Sequence, residues 1–208
     1  MAVSRRATAA KADDDSRARL IVAARRSFAS VGFEGASTRR IAGDAGVAQS
    51  LLLYHFGSKD ALWRAVMDDL FAGIDARMAN AQDAVRGGEP SERLMAAITC
   101  LVENCAEDAD IHRIMTLEGR HESERLRWLV ETHLRGNYLR ACALIRDGQA
   151  AGAVRPGDPT LLYYTFIAIA GTAFSLAPEI RLVSRNERAV DPAAIIALIR
   201  SLLIVGDG

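Results

Sequence analysis

Residues 38–55 read TRRIAGDAGVAQSLLLYH, and their spacing decides how the front of the chain folds. Ile41, Val47 and Leu52 are apolar at intervals of six and five. At 3.6 residues per turn, those intervals place one residue on each side of a turn and one beneath a second helix. Ala42 is small where two helices must cross closely. Gly46 stands where the first helix ends, and glycine takes the left-handed conformation there at least cost. This is the spacing of a helix-turn-helix, which presents its second helix to the major groove of DNA. An ordinary helical hairpin satisfies the same intervals.

On the N-terminal side, the residues through Lys11 lack apolar periodicity and read as a mobile arm. Its Arg5, Arg6 and Lys11 suit a groove or phosphates as well as open solvent. Asp13, Asp14, Asp15 and Ser16 supply helix-start chemistry. Ile21, Ala24, Phe28 and Val31 form a stripe that Gly32 stops. On the other side, Leu62, Val66, Leu70 and Ile74 mark a helix running toward Val85. Pro90 opens another, with Leu94, Ile98, Leu101, Val102 and Cys105 on its stripe. Helices near Asp110–Glu118 and from Ser123 to Gly148 follow. An uncharged segment, a polar connection through Arg181–Arg188 and a last helix from Asp191-Pro192 complete the chain. No run alternates as a strand does. The reading is all-α, with about nine helices.

Composition narrows the class. Of 208 residues, 50% are hydrophobic and 25% charged, which suits a soluble globular chain with a substantial core. Lys plus Arg and Asp plus Glu both total 26, but residues 1–72 carry net +3 and residues 73–208 net −3. A basic front and an acidic rear point to a polyanion partner for the front. Three cysteines, an odd number, argue against a disulfide framework and for reduced thiols in a cytoplasmic core. The N-terminal residues are rich in Ala, Arg and Asp with no apolar run, so no signal peptide is expected. The stretch from Pro159 to Pro178 is 20 residues without a charge, the length of a membrane span. Thr160, Tyr163, Tyr164, Thr165, Thr172 and Ser175 make it too polar for lipid. It reads as a helix buried or shared with a second subunit, and no membrane partner is expected.

The stretch from Arg19 to Phe71, with GFEGASTRRIAGDAGVAQSLLLYHFGSKDALWRAV at its heart, resembles the DNA-binding domain of the tetracycline-repressor (TetR) family. The phenylalanine-glycine end of helix one, Thr38, the IA..AGV block, YHF and SKDAL carry the resemblance. The last two thirds resemble the family only in length and helical layout. The resemblance implies an N-terminal helix-turn-helix domain and a C-terminal helical bundle for effector binding and dimerisation. The corresponding divisions are an arm over 1–16, a DNA-binding domain over 17–72 and an effector and dimer domain over 73–208.

It also implies roles. Thr38 matches a threonine whose hydroxyl meets a phosphate. Arg39 matches a base-reaching position, and its guanidinium suits guanine O6 and N7. Gln49 matches a glutamine whose amide suits adenine N6 and N7. Ser50 occupies a position near a thymine methyl, where glycine or proline is frequent. Tyr54, His55 and Lys59 match phosphate-contacting positions, with a helix N-terminus at Lys59 adding backbone donors. Three departures stand out. Ala48 replaces the usual serine or threonine cap, worth about 1 kcal/mol. Leu53 replaces a frequent tyrosine and removes a phosphate contact. Ser50 narrows backbone approach but adds a hydroxyl.

The expected protein is a transcription regulator, a repressor bound as a homodimer to a pseudo-palindromic double-stranded operator. Helices near 160–177 and 192–204 would form the dimer, with Ala168, Ala170 and Gly171 allowing close approach. A small, largely apolar effector would bind within residues 75–180, with Met67, Phe71, Met115, Trp128 and Tyr163 as lining. For each of these five, core packing is the commoner role. The other class of function is a helical-bundle carrier or enzyme whose front is only a hairpin. A hairpin has no need of Thr, Arg, Gln, Tyr, His and Lys at positions 38–59. Neither a Gly-x-Ser-x-Gly elbow nor a phosphate loop or dinucleotide fingerprint occurs, so no catalytic residues and no cofactor are expected. Glu118 and His121 have di-iron spacing, but a second such pair is lacking, and no metal is expected.

Overall fold

The computed structural model describes residues 2–186 and 190–205, with side chains from Asp13 onward. The described residues form helices joined by turns, and the one extended pairing among them is an isolated antiparallel bridge, Val154 to Ile204. They divide into two compact units, Met1–Phe71 with Arg113–Arg120, and Ala72–His112 with His121–Gly208. The reading by sequence position places 113–120 in the rear domain, whereas the contacts group this stretch with the front.

The first unit holds α1 (Ala2–Gly35), α2 (Thr38–Asp44), α3 (Gln49–Phe56) and the beginning of α4 (Lys59–Ala84). Leu20, Ala24 and Phe28 recur every four residues on α1 and are buried. Ile41, Ala42, Leu52, Leu62, Trp63, Val66 and Met67 are buried with them. Val31 is not, at 48% exposed. The helical geometry of α1 breaks at Gly32 (φ 70°, ψ 178°), where the stripe ends. Between α2 and α3, the Val47 N–H bonds the Ala42 carbonyl (2.9 Å) and the Gly46 N–H that of Gly43 (3.0 Å). This closure needs a left-handed residue, supplied by Gly46 at φ 67°.

In the second unit, α5 (Pro90–Glu107), α8 (Arg135–Ala150), α9 (Pro159–Ser175) and α11 (Pro192–Leu203) enclose one core. Leu94, Ile98 and Val102 meet Leu144, Ile145, Phe166, Ala170, Ile195, Ile199 and Leu203 there. The boundaries follow from capping. Glu89 and Glu92 form a reciprocal box at α5. Asp158 accepts from the Thr160 N–H (2.8 Å) and Asp191 from the Ala194 N–H (3.0 Å). Cys100, Cys105 and Cys142 are free and buried, and burial pushes the Cys105 thiol up to about 11.

The elements depart from the sequence reading in three places. The arm is helical from Ala2, because Ala7, Ala9, Ala10 and Ala12 have high helix propensity without an apolar stripe. The side chains of Arg5, Arg6 and Lys11 lie outside those described. A further helix, α10 (Ala177–Ser184), stands where a polar connection is expected, and residues 187–189 of that connection are outside the described set. The long helix over 124–150 comprises α7 (Glu124–Leu129), a π-helical turn (Val130–Leu134) and α8. No single helix among the described residues is long and apolar enough to cross a membrane, and α9 and α10 are bent by 72°.

Gly171 also has a different role from that read in sequence. It is buried within its own unit, and a Cβ there would collide with the His112 ring of α6 (Asp110–Glu118). Ala170 is fully buried too, so of the three small residues only Ala168 faces outward. Gly171→Ala is therefore expected to cost about 1–3 kcal/mol of unfolding stability through overpacking. Urea denaturation checks this, and an unchanged midpoint would contradict the packing.

Candidate nucleic-acid interface

Helix α3 has eight residues, QSLLLYHF, and divides sharply between two faces. Leu52 is fully buried, whereas Gln49, Ser50, Leu53 and Tyr54 are exposed, Tyr54 at 75%. Gln49 Nε2 donates to Thr38 Oγ1 at 3.1 Å, which brings the starts of α2 and α3 together. Arg39 and Arg40 are exposed beside Thr38. Five of the seven residues read from sequence as DNA contacts thus lie outward on these two helices, with Thr38 half-buried.

The other two have partners inside the protein. The His55 side chain is only 5% exposed. Its Nε2 lies 3.0 Å from Ser16 Oγ on α1. Ser16 spends its one hydroxyl proton on the Asp13 carbonyl at 2.7 Å, so Nε2–H donates and Ser16 accepts. The Asp13 carboxylate stands 3.6 Å from the same nitrogen. The ring has little surface left to offer a phosphate, and its geometry is that of a pin between α3 and α1. Lys59 is bound in a similar way. Its ammonium donates to the carbonyls of Ala36 (2.8 Å) and Glu34 (3.4 Å) and lies 4.4 Å from the centre of the Phe33 ring. An ammonium has three donors, which leaves one for a phosphate.

Sequence reasoning missed the α1 side of this arrangement. Arg19 pairs with Asp15 at 3.3 Å and donates from Nη1 to the Ala45 carbonyl in the turn at 3.1 Å. The Arg17 guanidinium lies over the Phe56 ring at 5.4 Å. A signal for Ser16 was present: it falls four residues before Leu20, in phase with Ala24 and Phe28, and is buried. A serine in that phase needs a polar partner in the core.

The five residues expected to line an effector pocket are distributed between the units. Met67, Phe71 and Met115 belong to the first, Trp128 and Tyr163 to the second. Met67 and Phe71 are buried. Tyr163 stands edge-on to Tyr138 (5.3 Å) and Phe166 (5.5 Å), and burial pushes its phenol up to about 12. Trp128 meets His133 edge-on at 5.4 Å, at the π-helical turn. A groove of about 420 Å³ in the second unit, lined by Arg77, Ala81, Val85, Ala96 and Glu107 among others, includes none of the five.

A helix-turn-helix whose second helix turns a mixed polar face outward defines a DNA-binding domain. Comparison with known proteins agrees. Residues 20–66 match the family model for bacterial regulatory proteins of the tetR family. The HTH-type transcriptional regulatory protein RaaS of Mycobacterium tuberculosis is 30% identical over 162 residues, 77% of this chain and 69% of that protein. The HTH-type transcriptional repressor SCO4008 of Streptomyces coelicolor is 25% identical over 184 residues, 84% of this chain and 86% of that protein. The crystal structure of AibR in complex with isovaleryl coenzyme A and operator DNA shares the fold. Its TM-score is 0.72 at 20% identity, covering 91% of this chain and 97% of that one. The chain belongs to the tetR family. It is a DNA-binding transcription regulator.

Substitutions separate these roles. Gln49→Ala and Arg39→Ala are expected to cost roughly 1–3 kcal/mol of specific affinity and to relax preference at one or two bases per half-site. Lys59→Met should lower unfolding stability and reduce the salt slope by about one phosphate's worth. His55→Ala should lower stability while leaving that slope unchanged. Titrations at several salt concentrations, with thermal melts, check all four, and a flattened slope for His55→Ala would place its ring on a phosphate.

Proposed function

We propose that the protein is a homodimeric cytoplasmic repressor, without catalytic activity, that a small and largely apolar effector releases from a pseudo-palindromic operator. The observation that carries the DNA part is the outward face of α2 and α3, where Thr38, Arg39, Gln49, Ser50 and Tyr54 stand on a packed scaffold. Of these, Arg39, Gln49 and Ser50 are the residues suited to bases, and Thr38, Tyr54 and the remaining Lys59 donor suit phosphates.

The dimer reading rests on a second observation. On α9, Leu161 (70% exposed) and Tyr164 (59%) align with exposed Ala168 and Thr172. On α11, Leu198 (50%) and Leu202 (46%) align with exposed Ala194 and Ala197. Both helices bury their other faces in one core, so the second unit of each chain presents two apolar stripes that need cover. Pairing across a two-fold axis makes a four-helix interface and sets two recognition helices about 34–36 Å apart, or a longer multiple.

The effector reading has support in the helices that would transmit it. Helix α4 is continuous from Lys59 to Ala84 and so belongs to both units. The π-helical turn, which contains His133 and follows Trp128, is a local irregularity of the kind that accompanies ligand sites. The AibR crystal structure, a complex with isovaleryl coenzyme A and operator DNA, shows that a protein of this fold binds a small molecule as well as DNA.

Two measurements test the proposal. Tyr164→Lys with Leu198→Asp should give folded monomers by analytical ultracentrifugation, with specific DNA affinity reduced at least about tenfold. A monomeric wild-type chain at micromolar concentration would contradict the dimer. An inducing compound that weakens operator binding tenfold carries about 1.4 kcal/mol of coupling, and operator DNA must weaken its binding by the same factor. Calorimetry on free and operator-bound protein reads this, and equal affinities would show that the compound is not the effector.

A further inference from the structure

The outward face of α3 carries one residue that the polar chemistry of base recognition does not use. Leu53 is 46% exposed, while the adjacent Leu52 is fully buried and supplies the packing of this helix. Exposed leucines scattered on a surface are ordinary. The position of this one is not. Leu53 lies four residues after Gln49 and three after Ser50, so the three share one stripe, with exposed Tyr54 beside them. The inward-facing contacts of α3 are made elsewhere, by Leu52 in the core and His55 on Ser16. Whatever Gln49 and Ser50 face on DNA, Leu53 faces with them.

A major groove offers one apolar feature to such a residue. Guanine, cytosine and adenine present only acceptors and donors there, whereas thymine adds its C5-methyl group. A leucine held against any other base edge desolvates polar groups and returns no hydrogen bond. We infer that Leu53 is a specificity-determining residue that reads a thymine C5-methyl in each half-site, one helical turn further along α3 than Gln49 and Ser50. This inference rests on the DNA-binding reading of α3.

The test uses the full-length protein and a duplex that it has selected from a random-sequence pool. Each thymine in the selected site is replaced in turn by deoxyuridine, which removes the methyl and keeps every hydrogen-bonding group. Wild-type protein should lose about fourfold in affinity per half-site at one thymine position, the worth of one buried methyl. In Leu53→Ala that loss should fall below about 1.5-fold, while sensitivity at other positions is retained. Leu53→Met, which keeps an apolar tip, should restore it. Thermal melts of both variants should match wild type, since the side chain is outside the core.

Two results overturn the inference: no thymine at which wild type senses the methyl, or a sensitive thymine whose effect survives unchanged in Leu53→Ala. The second would give the methyl to another side chain. Failure to select any sequence would instead contradict the DNA-binding reading itself, and this inference with it.

Discussion

An eight-residue helix without a side-chain cap does not persist by itself in water, and α3 is such a helix. Ala48 at its N-cap makes no side-chain bond to the first turn. Its outward residues can hold a fixed geometry only because its inward ones are captured. Leu52 is buried with the α1 stripe, and His55 is hydrogen-bonded to Ser16 of the same helix. Arg19 and Lys59 add bonds to the backbone of the turn and of the α1 end. The front of the molecule is thus organised by α1, although α1 supplies none of the residues assigned to bases. Packing compensates for the missing cap, which is why a departure from the family's usual residue at Ala48 leaves the unit intact.

The same constraint shows why the family signature mixes two kinds of residue. Arg39, Gln49, Ser50 and Tyr54 are exposed on α2 and α3, and Thr38, half-buried, is bonded to Gln49 among them. His55 and Lys59 spend their donors on Ser16 and on the carbonyls of Glu34 and Ala36. A sequence pattern records that a residue type matters at a position. It does not record the direction of the side chain, and for these two the direction is inward. Lys59 can serve both purposes through its third donor, whereas the His55 ring is covered.

Much of the fold was legible for physical reasons. The Leu62–Ile74 stripe, Pro90 and Asp191 announce helix starts and faces through periodicity and capping, and Gly32 and Gly46 take the left-handed geometry at which their helical runs break. Other features leave no local signature. Ala-rich residues 7–12 form helix by propensity, without a stripe to reveal it. The π-helical turn at Val130–Leu134 depends on packing. Gly171 looks like a subunit contact in sequence because a small residue in an apolar helix fits either role, and only the fold shows the His112 ring lying against it. Ser16 was visible in the register of its helix but was absorbed into the capping pattern of the preceding aspartates.

The claim on which the account depends is that the outward face of α3 enters a major groove, twice per site. Dimethyl sulfate interference on the selected duplex tests it directly, because the reagent methylates guanine at N7 in the major groove and adenine at N3 in the minor groove. The account predicts interference from guanine N7 methylation in two tracts related by a two-fold axis, with their centres about 34–36 Å or a longer multiple apart. Interference confined to adenine N3, or to a single tract, would contradict it.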